Sequence, residues 1–321
     1  MNVRLIGFVL VLGVASFSWV MTWGAWQYQK YAANVVPIET RSFERATLVH
    51  VGTGGAYENP IRGGPATAVA LGSRIWLVDA GRAVAEGLRN ATISVAQPDT
   101  LLLTNLLPEN VEGLDDLLLT GWLEGRSEPL RVVGPAGTTA LVEGVLAAHA
   151  GGIAARAESL GLPAAGAELA AVEVDAGWTE EMDGLRVSAG ALPGGPLPAL
   201  VYRFEAAGRI VVVAGSGWAP DTLVEFARGA QTLVHEAAFI PDPETAKTIG
   251  VDTDPERLKR EIALHTRIEE VGALAMRAGV ERLVLVRLRP PPVYDIQITS
   301  EVNDHFDGRI VIPDDGDETP F

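Results

Sequence analysis

The chain contains no cysteine. That absence excludes a disulfide framework, a thiolate nucleophile and a zinc-thiolate site. It leaves the compartment open, because oxidising and reducing spaces both host cysteine-free proteins. Basic residues are scarce beside acidic ones, 25 Lys and Arg against 41 Asp and Glu, for a net charge of -16. Affinity for a nucleic-acid backbone comes from cations that neutralise phosphates and release counterions, so this balance predicts no nucleic-acid partner. Glycines cluster at 52–55 without the Lys-Ser or Lys-Thr of a phosphate-cradling loop, which excludes that nucleotide signature. No Ser-His-Asp arrangement is readable along the chain either.

What is present is an ordinary globular composition, 321 residues with 48% apolar content, enough for one large domain or two small ones. Residues 5–26 carry no charge, and Trp19, Trp23, Trp26 and Tyr28 crowd the end of that run. Roughly 20 apolar residues cross a bilayer as a helix, whereas the apolar part of a cleaved leader spans about 7–15, and aromatic rings favour the headgroup level. Residues 1–30 therefore read as an N-terminal transmembrane helix, with a long cleaved signal peptide as the alternative because Val14-Ala15-Ser16 offers small residues. Arg4 on one side and Lys30, Arg41 and Arg45 on the other barely set the orientation. The usual behaviour of a short N-terminal anchor places the large domain outside the cytoplasm. The expectation is a single-pass protein of the cytoplasmic membrane with a periplasmic domain. Residues 31–45 read as a linker and 46–321 as the domain.

Within the domain, strand patterns at 47–51, 67–71, 75–79 and 130–133 alternate with helical ones at 82–89 and 138–149. Residues 151–170, rich in Ala and Gly, suit either a helical excursion or a loose loop. Strands follow at 185–188, 200–204, 210–214, 232–235 and 282–286, with helices at 221–227 and 268–278. Continuous apolar strands between amphipathic helices predict an α/β fold with two sheets covered by helices. Asp115 and Asp116 open a helix, where acidic groups complement the dipole. The run 314–318 reads as a solvated acidic tail and Pro290-Pro291-Pro292 as a rigid turn.

Chemistry concentrates at Thr104-Asn105-Leu106-Leu107-Pro108-Glu109-Asn110-Val111-Glu112-Gly113-Leu114, between an apolar strand and an amphipathic helix. With Gly52-Thr53-Gly54-Gly55, Leu77-Val78-Asp79-Ala80-Gly81 and Leu233-Val234-His235-Glu236-Ala237 in order, the chain resembles the metallo-β-lactamase fold family, in its ribonuclease Z and arylsulfatase-like branch. The resemblance implies an αββα sandwich and a loop reading T-H-x-H-x-D-H-x-x-G-L that holds two zinc ions. At the matching positions Asn105 and Leu107 stand for two His, Glu109 for Asp and Asn110 for His. The later ligand positions are matched by Pro193, Ser216 and Arg287. Zinc takes imidazole and carboxylate donors, and Leu107 has none. Exchange for calcium would need about six to eight oxygen ligands, which Leu107, Pro193 and Arg287 do not supply.

The resemblance also implies that His265, in His265-Thr266, matches an accessory catalytic His, that Asp79 lies near the site, and that Arg287 pairs with Glu109 or takes an anion. His50 and His235 read as internal hydrogen-bonding groups. The function expected from a retained fold with replaced ligands is a catalytically inactive, membrane-anchored accessory or scaffold subunit of a membrane protein complex, without metal or other cofactor. Two alternatives stand beside it. One is a metal-dependent or rebuilt-site hydrolase of phosphoesters, sulfate esters or lactones that uses His265, and the other is an anion-binding module built on Arg287.

Overall fold

A computed structural model describes residues 3–33, 38–56, 59, 61–215, 217–248, 250, 254–289 and 295–321. The chain divides into two compact units, Met1–Glu39 and Thr40–Phe321. The first holds one helix, α1 (Val3–Ala33), in which Trp19 and Trp23 stack with ring centres 6.4 Å apart.

The second unit starts with β1 (Phe43–Gly52), β2 (Ala66–Gly72), β3 (Arg74–Val78), α2 (Val84–Asn90), β4 (Thr100–Leu102), α3 (Pro108–Val111), α4 (Leu114–Leu123), β5 (Leu130–Gly134), α5 (Thr138–Leu160) and β6 (Leu169–Glu173). It continues through β7 (Thr179–Met182), β8 (Leu185–Ala191), β9 (Leu200–Ala206), β10 (Arg209–Ala214), α6 (Pro220–Ala227), β11 (Thr232–Ala238), α7 (Pro243–Thr248) and α8 (Pro255–Ile262). It ends with α9 (Ile268–Ala278), β12 (Arg282–Arg289), α10 (Asp295–Asn303), β13 (Arg309–Val311) and β14 (Glu318–Pro320).

Two seven-stranded sheets result, ordered β14-β1-β2-β3-β4-β5-β6 and β13-β12-β11-β10-β9-β8-β7. Each is mixed. In the first, β1, β2 and β3 pair antiparallel and β3 to β6 parallel. In the second, β7 to β10 pair antiparallel and β10 to β13 parallel. Trp76, Tyr202 and Phe204, together with Leu48, Val133 and Val284, fill the space between the sheets. Large side chains buried this completely contribute about 1.5–3 kcal/mol each. Outside the first sheet, Val84 and Leu88 of α2 and Leu117 and Leu118 of α4 cover Val49, Leu77 and Leu101. Outside the second, Leu223 of α6, Val271 and Leu274 of α9 and Val302 of α10 cover Leu233 and Leu283. This is the expected sandwich of two sheets with helices outside, because strands buried on both faces demand two covers.

The local rules behind the elements are visible. Glu269 and Glu270 sit in the first turn of α9, where they complement the helix dipole, and Gly279 closes it at φ 72. Asp115 and Asp116 do the same for α4. The segment 151–170 is not a loose loop: α5 runs on to Leu160, a single 3₁₀ turn covers Ala164–Ala167, and β6 follows. Its alanines favour a helix that its glycines do not break until Gly161, at φ 64.

The acidic run 314–318 is not a disordered tail. Asp315 accepts from Thr53 N (2.8 Å), Thr53 Oγ1 (2.7 Å) and Gly63 N (2.5 Å), and Asp314 pairs with Arg62 at 2.7 Å. β14 then pairs antiparallel with β1. The charges are tethered because backbone N–H groups and a buried guanidinium face them. Pro290-Pro291-Pro292 and Ser216 lie outside the described residues.

Candidate functional site

The carboxyl ends of β3, β4, β10, β11 and β12 meet at one crevice, the place where α/β sheets present ligand sites. Asp79 leaves β3, Asn105 and Leu107 follow β4, Gly215 and Gly217 follow β10, Glu236 is in β11 and Arg287 in β12. A cavity of about 190 Å³ opens there, lined by Leu107, Glu109, Trp218, Glu236, His265 and Arg287, with Gly215 and Pro196 at its wall.

One side of the cavity carries an imidazole and a carboxylate. His265 Nδ1 lies 2.9 Å from Glu236 Oε2, and Glu236 Oε1 accepts the backbone N–H of Thr266 at 3.0 Å. Thr266 Oγ1 contacts His235 Nε2 at 2.8 Å, which ties the loop to β11. His235 thus serves as the internal hydrogen-bonding group its sequence position suggests, and His50 does so with Thr319 at 3.0 Å. Burial alone would push Glu236 up. The neighbouring His265 and His235 and the Thr266 N–H outweigh it, and Glu236 sits below the usual carboxylate range. Gly217 is obligatory beside this pair, since a Cβ there would collide with Glu236 Oε1, His265 C and Thr266 N.

The other side carries Arg287, which donates from one terminal nitrogen to Asp79 Oδ2 and from the other to Asn110 Oδ1 at 2.5 Å. Asp79 also accepts from Thr104 N and Oγ1, each at 2.8 Å. Burial holds the Asp79 carboxyl above the usual carboxylate range, and the pull of Arg287 and Thr104 offsets only part of that. Asn110 Nδ2 donates to Asn105 Oδ1 at 2.7 Å, which also accepts Leu107 N at 2.9 Å. Arg287 therefore pairs with Asp79, not with Glu109. Asp79 is an anchor for both sheets: two strand ends converge on one carboxylate.

Of the residues singled out in the sequence, the fold brings Leu107, Glu109, His265 and Arg287 to the cavity, with Asn105 and Asn110 fully buried behind it. Pro193 is exposed in the turn after β8, and Pro196 of the same loop reaches the cavity instead. Glu236 went unnoticed as a functional group. The available signal was a carboxylate within Leu233-Val234-His235-Glu236-Ala237, a strand segment that is buried along its whole length.

These residues do not fit a pair of zinc ions. Zinc needs imidazole and carboxylate donors at about 2.0–2.2 Å. Here two amides bond to each other, Leu107 offers no donor, and a permanently charged guanidinium already holds Asp79 and Asn110. Among the described residues no group of three or more His, Asp or Glu is placed to hold a metal.

No protein-family model matches the chain. The Ribonuclease Z of Mycobacterium bovis (strain BCG / Pasteur 1173P2) is 30% identical over 271 residues, covering 83% of this chain and 94% of that protein. The Ribonuclease Z of Mycobacterium sp. (strain KMS) is 34% identical over 245 residues, 75% of this chain and 83% of that protein. Among solved structures, the metallo-beta-lactamase fold protein YhfI from Bacillus subtilis superposes with a TM-score of 0.66 at 16% identity, covering 86% of this chain and 99% of that one. Human tRNase Z, short form, gives 0.60 at 18% identity, covering 85% and 98%.

These likenesses correct several expectations. Relatives named as a ribonuclease along most of the chain overturn the inactive, membrane-anchored scaffold of a membrane complex, and with it the exclusion of nucleic acid as a partner. The periplasmic placement falls too, having rested on α1 as an anchor. Among the described residues the helix long and apolar enough to cross a membrane is α5, by length and composition only. Net charge misled because it sums the whole surface, while recognition depends on the local field. The chain belongs to the metallo-β-lactamase superfamily, in its ribonuclease Z branch.

Proposed function

We propose that the chain is a hydrolase with a rebuilt site, in which His265 is the general base and Glu236 positions it. The observation that carries this reading is the 2.9 Å contact between His265 Nδ1 and an ionised, buried Glu236, both lining the cavity. An ionised carboxylate only accepts hydrogen bonds, so Nδ1 carries the proton and Nε2 is left basic. Nε2 takes a proton from water as the water oxygen attacks the phosphorus or carbonyl carbon of an ester. As the bond to the leaving oxygen breaks, the imidazolium returns that proton to it. Glu236 stabilises the imidazolium in between.

The substrate class is a phosphoester first, because the relatives are named as ribonucleases, with sulfate esters and lactones as the other esters to which the same chemistry applies. We further propose that Asn105, Leu107, Glu109, Asn110, Pro193, Ser216 and Arg287 occupy the positions at which metal-binding members carry ligands. The domain spans 40–321, because β1 takes up residues 43–45 of the segment 31–45 read as a linker and α1 takes up 31–33. Segment 1–30 is a separate N-terminal helical segment, supported by its uncharged run 5–26, and the mass of the purified N-terminus shows whether it is retained.

The test is a panel of a 3′-extended tRNA precursor, bis-p-nitrophenyl phosphate, p-nitrophenyl sulfate and a γ-lactone, assayed with a chelator present. Hydrolysis of one of them, reduced on the order of 10²–10⁴-fold by His265→Ala, supports the reading. Undiminished hydrolysis in that variant overturns it.

A further inference from the structure

Asp79 and Arg287 share two unusual properties. Both are non-glycine residues with left-handed backbone, φ 61 and φ 55, a conformation that persists only where the surroundings hold it in place. Both are also buried, Asp79 completely and Arg287 to 9% exposure. A carboxylate in that setting requires a cation, because an uncompensated buried charge is among the most destabilising features a fold can carry. Arg287 reaches it from the opposite sheet, while Asn110 and the amide pair behind it fix the guanidinium from the side. The same guanidinium lines the cavity that His265 and Glu236 line.

We infer that Arg287 is the resident cation of this site in place of bound metal: its guanidinium neutralises Asp79 and supplies positive charge to the oxygen that becomes anionic during ester hydrolysis. A guanidinium suits both tasks, since its planar fork of N–H donors can hold two acceptors and turn an edge to a third. The disagreement between a metallohydrolase fold and these donors is then a replacement of charge, from an exchangeable ion to a covalent one. The second half of the inference rests on the hydrolase reading above; the first half does not.

Three preparations of the full chain test it: the unaltered protein, Arg287→Met, and the double variant Asp79→Asn with Arg287→Met. Elemental analysis of the unaltered protein should find far less than one zinc, manganese or iron per chain after each is supplied. Its melting temperature should not move with chelator. Arg287→Met should lower the melting temperature on the order of 10 °C, as expected for a stranded buried charge, and the double variant should regain more than half of that loss. On a substrate hydrolysed in a His265-dependent way, the double variant should lose kcat at least about 100-fold with KM within a few-fold, the signature of charge felt only in the transition state.

Stoichiometric metal, a chelator-induced fall in melting temperature, or an unchanged melting temperature in Arg287→Met overturns the inference. So does His265-dependent hydrolysis with unchanged kcat in the double variant. If the unaltered protein hydrolyses nothing, the hydrolase reading fails, and the metal and melting measurements still decide the first half.

Discussion

Glu236 divides its two carboxylate oxygens between one loop's backbone and one imidazole: Oε1 takes the N–H of Thr266 and Oε2 faces Nδ1 of His265. The first bond fixes where the second can form, so β11 sets the orientation of a ring that arrives from a different segment 29 residues on. Such a carboxylate acts through the histidine it holds.

Replacing Glu236 by Gln keeps the shape and removes the charge. An amide can meet Nδ1 through its oxygen, but it no longer stabilises an imidazolium. We expect kcat to fall about 100-fold or more while the melting temperature changes by only a few degrees. Steady-state kinetics beside thermal unfolding check this. Loss of folding without any separate loss of kcat would assign Glu236 to the architecture alone.

Gly217→Ala places a methyl group against Glu236 Oε1 and the His265–Thr266 backbone. Backbone atoms cannot yield as a flexible side chain would, so the loop must shift. The expected outcome is a drop in kcat of at least about tenfold, since displacements of about 1 Å cost this much or more. Gly144→Ala, at a position with open space around its Cβ, is the control and should leave kcat unaltered.

The folded protein should lose stability in mild acid. Burial pushes His50 and His235 down to about 4 from 6.5, despite the opposing pull of Asp317 on the first and Glu236 on the second. Below 6.5 the unfolded chain takes up protons that the folded chain refuses until about 4. Stability from these two groups is therefore complete above 6.5 and declines as pH falls toward 4, by about 1.4 kcal/mol per pH unit for each. Denaturant titrations between pH 7 and 5 measure the slope. His50→Gln, which can keep a bond to Thr319, should remove about half of it; an unchanged slope would contradict the assignment.

Asp315 joins the chain's end to its first strand through three hydrogen bonds, two to backbone N–H groups. Asp315→Ala leaves those donors unmatched and should cost about 2–3 kcal/mol, or roughly 5–10 °C in melting temperature. Truncation after Ile312 should cost more, because it also removes β14 from the edge of the first sheet.

The two sheets were legible because central strands are short, β-branched-rich apolar runs without interruption, as at 210–214 and 283–286, the pattern of strands buried on both faces. The edge strands β7, β13 and β14 were not: Thr179–Met182 is mostly exposed and too polar to stand out. His265 and Arg287 were legible from the resemblance. Glu236 and the partner of Arg287 were not, because their roles depend on contacts 29 and 208 residues apart that only the closed sandwich creates. The tail at 314–318 looked solvated since its charges have no local partner, and their partners, Thr53, Arg62 and Gly63, lie at the other end of the chain.

The most direct measurement compares ester hydrolysis by the unaltered chain and by His265→Ala in the presence of a chelator, with folding of both verified by thermal unfolding. The account predicts turnover that survives the chelator and falls at least about 100-fold in the variant. Turnover that vanishes with the chelator, or that persists in His265→Ala, would contradict it.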